Sequence, residues 1–230
     1  AGKLAVIGQL STSIAHELNQ PLAALRTLSG NTMRFLQRGA LDTVTSNLAT
    51  INQLVDRMGR ITASLRSFAR RGDDQGQACL GKGVDAALQL LGTRVESAHL
   101  QVHRYFEEVQ VQIDQTRLEQ ILVNLIGNAL DAMQAQPLPE LWLEGEALEG
   151  KYRLRVRDNG HGIDIDARKH LFEPFFTTKP GEQGLGLGLT LSASLAAATG
   201  GHLDVEHPAS GGTSFVLSLP LVSPTPAEPI

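Results

Sequence analysis

At 230 residues, with 42% hydrophobic and 19% charged residues, the chain is long enough to form two modest domains with separate cores. Its formal net charge of -4 excludes the basic field that non-specific nucleic-acid binding requires, so no nucleic acid is expected as a partner. The single cysteine, Cys79, excludes an internal disulfide and favours a reducing compartment, which predicts a cytoplasmic location.

The start of the chain predicts that it continues a longer protein. No uninterrupted apolar run approaches the roughly 20 residues that a membrane-spanning helix needs, and no charged-then-apolar leader opens the chain. Residues 1–10 already follow a helical pattern without a capping residue before it. We therefore expect the natural helix to begin upstream.

Residues 1–71 carry two helical patterns, in which apolar residues recur at steps of three or four and form one stripe. The stripes comprise Leu4, Ile7, Leu10, Ile14, Leu18, Leu22, Leu25 and Leu28, then Val44, Leu48, Ile51, Val55, Met58, Ile61, Leu65 and Phe68. Gly39 suits a helix C-cap and Asp42 or Thr43 the next N-cap, which predicts an antiparallel hairpin. Because a lone hairpin cannot bury both stripes, we predict a homodimer in which two copies form a four-helix bundle.

Residues 72–80 are typical of an interdomain linker, and a second domain is predicted over residues 81–222. The patterns predict helices at Lys82–Val95, Gln115–Met133 and Thr190–Thr199, and strands at Val109–Ile113, Leu141–Ala147, Lys151–Arg157, His202–His207 and Ser214–Leu219. This order favours an α+β chain whose second domain is a two-layer α/β sandwich with a mixed, largely antiparallel sheet. The proline-rich residues 223–230 are expected to be a disordered tail.

His16 is the candidate nucleophile of the first domain. It lies two positions from Ile14 and Leu18 of the apolar stripe, about 200° around the helix, so its imidazole is predicted to face solvent. A neutral imidazole offers a nucleophilic nitrogen at cellular pH, and Glu17 can accept the proton of the other nitrogen. Taken alone, an exposed His-Glu pair is ordinary surface chemistry.

The residues around His16 carry a family resemblance. The stretch Ala15-His16-Glu17-Leu18-Asn19-Gln20-Pro21-Leu22 resembles the H box of the sensor histidine kinases, most closely sensors of the dicarboxylate-transport and nitrogen-regulation type. This resemblance implies that His16 is phosphorylated and that an aspartate of a response regulator receiver domain takes the phosphoryl group. It implies that Gln20, where the family commonly has Thr or Asn, assists removal of phosphate from the partner. It also implies a cytoplasmic portion of an inner-membrane sensor.

Two segments of the second domain suit parts of a nucleotide complex. Asn124 and Asn128 are four apart on one helical face, and Asn128 can give Mg²⁺ the hard oxygen ligand that it prefers. Asp158 follows a strand and can accept a hydrogen bond from an adenine amino group, with Gly160 and Gly162 leaving room for the ring. Each segment also has a plain alternative, a helix-surface Asn pair without a ligand and a simple Asp-Asn-Gly turn.

Two further segments of the second domain also suit parts of a nucleotide complex. Leu171 to Lys179 concentrates three of the seven phenylalanines on a predicted loop, which fits either a lid anchor or a plain hydrophobic cluster. The glycines of residues 184–189 open a helix, where backbone N–H groups and the helix dipole can cradle phosphates. No Gly-Lys-Ser/Thr follows them and no strand immediately precedes them, so neither a P-loop nor a nicotinamide fingerprint is present.

In this order the segments resemble the N box, first glycine box, F box and second glycine box of the ATPase fold shared by histidine kinases, gyrase, heat-shock protein 90 and the MutL proteins. The resemblance implies ATP and Mg²⁺ as cofactors, with Asn128 as the metal ligand and His16, Glu17, Gln20 and Asn124 as catalytic residues. The implied nucleotide-binding residues are Asn124, Asn128, Asp131, Asp158, Gly160, Gly162, Ile163, Phe172, Thr178, Lys179, Gly184, Leu185, Gly186, Leu187, Gly188, Leu189 and Thr213.

At two positions the residue in this chain differs from the residue that some members of that group have. Where the ATP-hydrolysing members have a Glu that activates water, this chain has Asn124, which cannot take a proton, so transfer to a protein nucleophile is favoured over hydrolysis. Where many kinases have a Lys near the phosphates, this chain has Asp131, and Lys179 or Arg168 are the candidate cations. The hypothesis is autophosphorylation of His16 and transfer to a response regulator; the alternatives are an ATPase clamp and a degenerate kinase scaffold. The sensed signal and the regulator's identity stay open.

Overall fold

The computed structural model describes residues 2–69, 76–174, 176–178 and 186–222, with side chains given for all of these except residues 2–18, 56, 57 and 60–69. The chain divides into two compact units, Ala1–Arg70 and Arg71–Ile230. Within the described residues, every helix is too short or too polar to cross a membrane.

The first unit is a helical hairpin of α1 (Gly2–Gln37) and α2 (Leu41–Ala69). Gly39 ends α1 with φ of 73°, and the N–H groups of Gly39 and Ala40 donate to the carbonyls of Leu36 and Phe35 at 3.1 and 3.0 Å. This is the Schellman arrangement, which confirms the predicted glycine C-cap. The N-cap prediction was wrong, because the carbonyl of Ala40 already accepts from Val44 N and places both Asp42 and Thr43 inside α2.

Packing between α1 and α2 buries only part of their apolar surface. Pro21, Thr32 and Leu54 are buried, and the Thr32 hydroxyl is satisfied by donating to the Leu28 carbonyl at 2.7 Å. Large apolar side chains of the same helices stay exposed in the single chain: Leu22, Met33, Leu36, Leu41, Leu48 and Val55.

The second unit packs helices on one face of a five-stranded sheet. Its elements are β1 (Ala78–Cys79), α3 (Leu80–Leu90), α4 (Gly92–Ser97), β2 (Gln101–Tyr105), β3 (Gln110–Val111), α5 (Gln115–Ala132), β4 (Glu140–Leu148), β5 (Lys151–Asp158), the 3-10 turn η1 (Ala167–His170), α6 (Gly188–Ala198), β6 (His202–Glu206) and β7 (Ser214–Pro220). The sheet order is β2-β4-β5-β7-β6, and β1 pairs separately with β3. Only β2 and β4 run parallel among the described strand pairs.

Strand alternation explains which sheet face carries the core. Along β5 the side chains of Tyr152, Leu154, Val156 and Asp158 are buried, while the intervening arginines lie on the other face. The buried face packs against α3, α5 and α6 to form one hydrophobic core. The predicted two-layer sandwich with a mixed, largely antiparallel sheet is therefore confirmed.

Four local expectations differ from the structure. The helix predicted over Lys82–Val95 is broken at Leu91, where Gly92, a poor helix former, starts the separate α4. β3 covers two residues rather than five, and Ala78 to Leu80, expected in the linker, form β1 and begin α3. β2 was not predicted, because this edge strand is mostly exposed and shows no apolar alternation.

Candidate functional site

Asp158 ends β5 and is 2% exposed. Its Oδ1 accepts hydrogen bonds from the backbone N–H groups of Gly160 and Thr213, at 2.8 and 3.3 Å. No hydrogen bond reaches its Oδ2 from the residues that the structure describes. One carboxylate oxygen is thus held by backbone, while the other can accept from a ligand.

Burial is the main cause of a raised pKa at Asp158. The two backbone hydrogen bonds and the nearby His161 act in the opposite direction and lower this pKa without cancelling the effect of burial. An ionised carboxylate here is therefore costly to the fold and gains from any donor that a ligand brings.

The loops around Asp158 need glycine. Gly212 has φ of 79°, and a Cβ at this position would collide with the carbonyl oxygen of Asp158. A Cβ on Gly160 would lie 2.7 Å from the carbonyl oxygen of Ala132, the last residue of α5. The same carbonyl accepts from His161 N at 3.3 Å, so this loop is fixed to the C-terminal end of α5. The structure thus brings Asp158, Gly160, Gly162 and Thr213 together.

Asn124 lies on α5 where α6 begins. Its Nδ2 donates to the hydroxyl of Ser192 at 3.0 Å, and Ser192 is buried. A Cβ on Gly188, the first residue of α6, would collide with Oδ1 of Asn124. The start of α6, with the unpaired N–H groups of a helix N-terminus, therefore lies close against α5 at Asn124.

The residues flanking α6 connect to the F-box segment. Thr190 donates its hydroxyl hydrogen to the carbonyl of Phe172 at 3.0 Å, which ties that segment to the first turn of α6. Phe172, Leu189 and Ile163 are half-buried and pack against the core beside this helix end. Leu187 precedes α6, and its carbonyl accepts from Leu191 N at 2.9 Å.

Asn128 and Asp131 follow Asn124 on the same helix face. Asn128 is half-buried. Asp131 forms an ion pair with Arg94 of α4, whose Nη2 lies 2.5 Å from the Asp131 Oδ1. Asp131 is therefore an anion paired with a cation from a different element.

Several predicted site residues are not tested by this geometry. The backbone of His16 and Glu17 lies in α1, but their side chains are outside the described set, as are the residues Lys179, Gly184 and Leu185 in full. Gln20 and Thr178 are described and exposed, and Gly186 lies just before α6. Arg168 donates through Nε to the carbonyl of Ile163 at 3.3 Å.

Two residues at the site were missed by the sequence reasoning. Ser192, the partner of Asn124, could have been noticed as a buried polar residue within the apolar sequence of α6. Arg94 gave no comparable signal, because a lone arginine on a short helix is typical of an exposed surface.

Comparison with known families identifies both units. Residues 6–74 match the His Kinase A (phospho-acceptor) domain, and residues 113–223 match the family described as histidine kinase-, DNA gyrase B-, and HSP90-like ATPase. The chain therefore belongs to the sensor histidine kinases, and it combines a phospho-acceptor domain with an ATPase domain. The predicted family is confirmed.

One curated relative and one solved structure show which proteins the chain is similar to. The chain is 38% identical over 224 residues to the C4-dicarboxylate transport sensor protein DctB of Rhizobium meliloti (strain 1021), covering 95% of this chain and 35% of DctB. It thus spans about a third of that relative. Among solved structures, a mycobacterial sensor histidine kinase, MprB, aligns with a TM-score of 0.57 at 25% identity, over 64% of this chain and 97% of MprB.

A second solved structure shares the fold over nearly the whole chain. The histidine kinase ThkA, in complex with the response regulator protein TrrA, aligns with a TM-score of 0.68 at 21% identity. This alignment covers 96% of the present chain and 64% of that one.

Proposed function

We propose that this chain binds ATP with Mg²⁺, phosphorylates its own His16, and passes the phosphoryl group to an aspartate on a response regulator receiver domain. The observation that carries the proposal is the buried Asp158, whose Oδ1 is fixed by two backbone N–H groups while Oδ2 has no described protein donor. A buried carboxylate held in this way fits a ligand amino group such as that of adenine.

The remaining site residues lie between Asp158, where we propose that adenine binds, and the first turn of α6. Gly160 contacts the C-terminal end of α5, whereas Asn124 contacts the start of α6, so a nucleotide bound at Asp158 would direct its phosphates toward the α6 N-terminus. Asn128 would give a carboxamide oxygen to Mg²⁺, which neutralises phosphate charge when it is bound. These residues align the phosphates and stabilise their charge, which is the main task in phosphoryl transfer.

Asn124 favours transfer over hydrolysis. Its amide donates to Ser192 and cannot take a proton from water, so no general base is present at this position. In the proposed reaction His16 attacks the terminal phosphorus, the bond to the bridging oxygen breaks, and ADP leaves. Glu17 accepts the proton of the other imidazole nitrogen, which keeps the attacking nitrogen nucleophilic.

The partners belong to the proposal as well. The solved ThkA–TrrA complex supports a response regulator as acceptor, and we propose that Gln20 assists phosphate removal from it. The exposed apolar residues of α1 and α2 support a homodimer in which two hairpins form a four-helix bundle. We also propose that the chain is the cytoplasmic portion of a membrane-attached sensor, and its similarity to the transport sensor protein DctB supports this.

Labelling with γ-³²P ATP tests the proposal. The wild-type chain is expected to acquire acid-labile, alkali-stable label, because phosphohistidine has that stability, and His16→Gln is expected to acquire none. His202→Gln serves as the matched control, since His202 is an exposed histidine of the other unit and should leave labelling unchanged. Label that persists in His16→Gln contradicts the assignment. Steady phosphate release without any phosphoprotein indicates an ATPase clamp instead.

A further inference from the structure

The guanidinium of Arg94 lies across one turn of α5. Its Nη2 pairs with Asp131, and its Nη1 is 3.7 Å from the position that a Cβ on Gly127 would occupy. The group therefore covers the turn from Gly127 to Asp131. This is the turn that carries Asn128.

This turn lies between the two ends of the proposed nucleotide site. The adenine end is fixed at Ala132, where the loop after Asp158 joins α5, and the phosphate end lies at Asn124, against the start of α6. Asn124 and Asp131 are seven positions apart in the helix, which is about 10 Å at a rise of 1.5 Å per residue. A nucleotide that lay along this stretch of α5 would have its phosphates beside Asn128 and Asp131.

The chemistry of Arg94 suits this position. A guanidinium has five N–H donors in a planar fork, and the ion pair with Asp131 is made through Nη2. The Arg94 side chain is 46% exposed, so the remaining donors are accessible. A half-exposed ion pair adds little to folding stability, which leaves the orientation of the guanidinium as the main effect of Asp131.

We propose that Arg94 is the cation that binds the polyphosphate of the nucleotide, and that Asp131 positions it. Because the pair lies nearer the adenine end than Asn124 does, Arg94 contacts the α- and β-phosphates rather than the terminal one. The inference rests on the proposed ATP function. Arg94 precedes Arg168 as a candidate cation because its guanidinium covers the turn of α5 that carries Asn128, whereas Arg168 donates through Nε to the Ile163 carbonyl; Lys179 lies outside the described residues.

Calorimetry on the full chain with Arg94→Gln tests the role, using Mg-ATP, Mg-ADP and adenosine as probes. We expect ATP and ADP to bind about tenfold to a hundredfold more weakly, because charge-assisted hydrogen bonds to phosphate are lost. Adenosine, which has no phosphate, should bind as it does to the wild type. Equal weakening of adenosine, or unchanged binding of ADP, would overturn the proposal.

Arg104→Gln is the matched control. Arg104 pairs with Asp85 at 2.7 Å, its side chain is 44% exposed, and it lies on β2, an edge strand of the sheet in the same unit. This variant should leave the affinity of all three probes unchanged. If Arg104→Gln weakens ADP binding as much as Arg94→Gln does, the loss of affinity comes from the change in net charge. The proposed specific role of Arg94 would then be wrong.

A charge swap separates phosphate binding from a structural role. In the double variant Arg94→Gln with Asp131→Lys, a cation returns to the same turn without the original ion pair, and ADP affinity is expected to recover by at least tenfold. No recovery contradicts the proposal. A wild-type chain that binds neither ATP nor ADP would sink the proposed function itself, whereas wild-type binding that Arg94→Gln leaves intact sinks only this inference.

Discussion

Burial of the Asp158 carboxyl costs folding stability, and its proposed role in binding adenine accounts for that cost. A carboxyl whose folded pKa is raised holds its proton more tightly in the folded than in the unfolded state. The free energy of unfolding therefore falls as pH rises from the ordinary carboxyl pKa of about 3.9 to the raised value, and the loss persists above it. Above that raised pKa the buried charge weakens the fold, while its Oδ2 can accept from a ligand.

Replacing Asp158 by Asn should separate binding from stability. The Asn oxygen still accepts from the Gly160 and Thr213 N–H groups, but an NH₂ group replaces Oδ2 and opposes the adenine amino group. We expect ATP affinity to fall about tenfold to a hundredfold, while the free energy of unfolding at pH 7 stays equal or rises.

Calorimetry and urea unfolding at pH 5 and pH 8 measure both effects, with Asp166→Asn as an exposed control. The pH dependence of stability should become flatter in Asp158→Asn. A variant that loses more than about 1 kcal/mol of stability at pH 7 would show that Asp158 supports the fold rather than the ligand.

At the scale of elements, the site depends on how closely α6 approaches α5. Gly188 provides the space, Ser192 holds the Asn124 side chain, and Thr190 ties the F-box segment to the same helix end. These contacts bring together segments that are far apart in the chain. A small displacement of the first turn of α6 would therefore alter the proposed phosphate end of the site.

Gly188→Ala tests this close approach. The new Cβ must push Asn124 away and break its hydrogen bond to Ser192, so we expect a stability loss of about 1–3 kcal/mol and weaker ATP binding. Gly92→Ala is the control, because Gly92 also opens a helix but has open space around it, and this variant should be neutral or slightly stabilising. Thermal unfolding and calorimetry compare the two, and equal behaviour would contradict the packing argument.

For the whole molecule, the exposed apolar residues of the helical hairpin are the basis of the proposed homodimer. Leu48 and Val55 are 49% and 53% exposed in the single chain, on a helix whose other side packs against α1. Removing such side chains from water stabilises an assembly by roughly 25 cal/mol per Å² of apolar surface. A second hairpin can cover them, which is the physical basis of the proposed homodimer.

Lysine at both of these positions should produce a monomer. In the variant Leu48→Lys with Val55→Lys, the charge would have to be buried in the bundle, so we expect the mass in solution to fall from twice 24.7 kDa to 24.7 kDa. Light scattering after gel filtration measures this. Leu138→Lys, at a 66% exposed apolar residue of the other unit, should keep the dimer. A double variant that remains dimeric, or a monomeric wild type, rules out this interface.

Local pattern alone was enough for most elements and for the glycine-dependent positions. The helix over Gln115–Ala132 and the alternation of β5 follow from periodic burial, and Gly39 ends its helix because glycine tolerates a positive φ. Asp158 could also be chosen from its place between a strand and a glycine turn. Each of these signals lies within a few neighbouring residues, so the sequence displays it directly.

The contacts that complete the site were decided by tertiary structure. Arg94 and Asp131 are 37 positions apart, and Asn124 and Ser192 are 68 apart, so no local spacing connects either pair. β2 is a strand because it pairs in parallel with β4, not because its own residues alternate. Ala40 has no capping side chain, yet it is the N-cap of α2 because the turn at Gly39 places it at the start of that helix. Such features depend on which surfaces come into contact after folding. A long-range contact produces no periodic pattern in the sequence, so local pattern does not predict it.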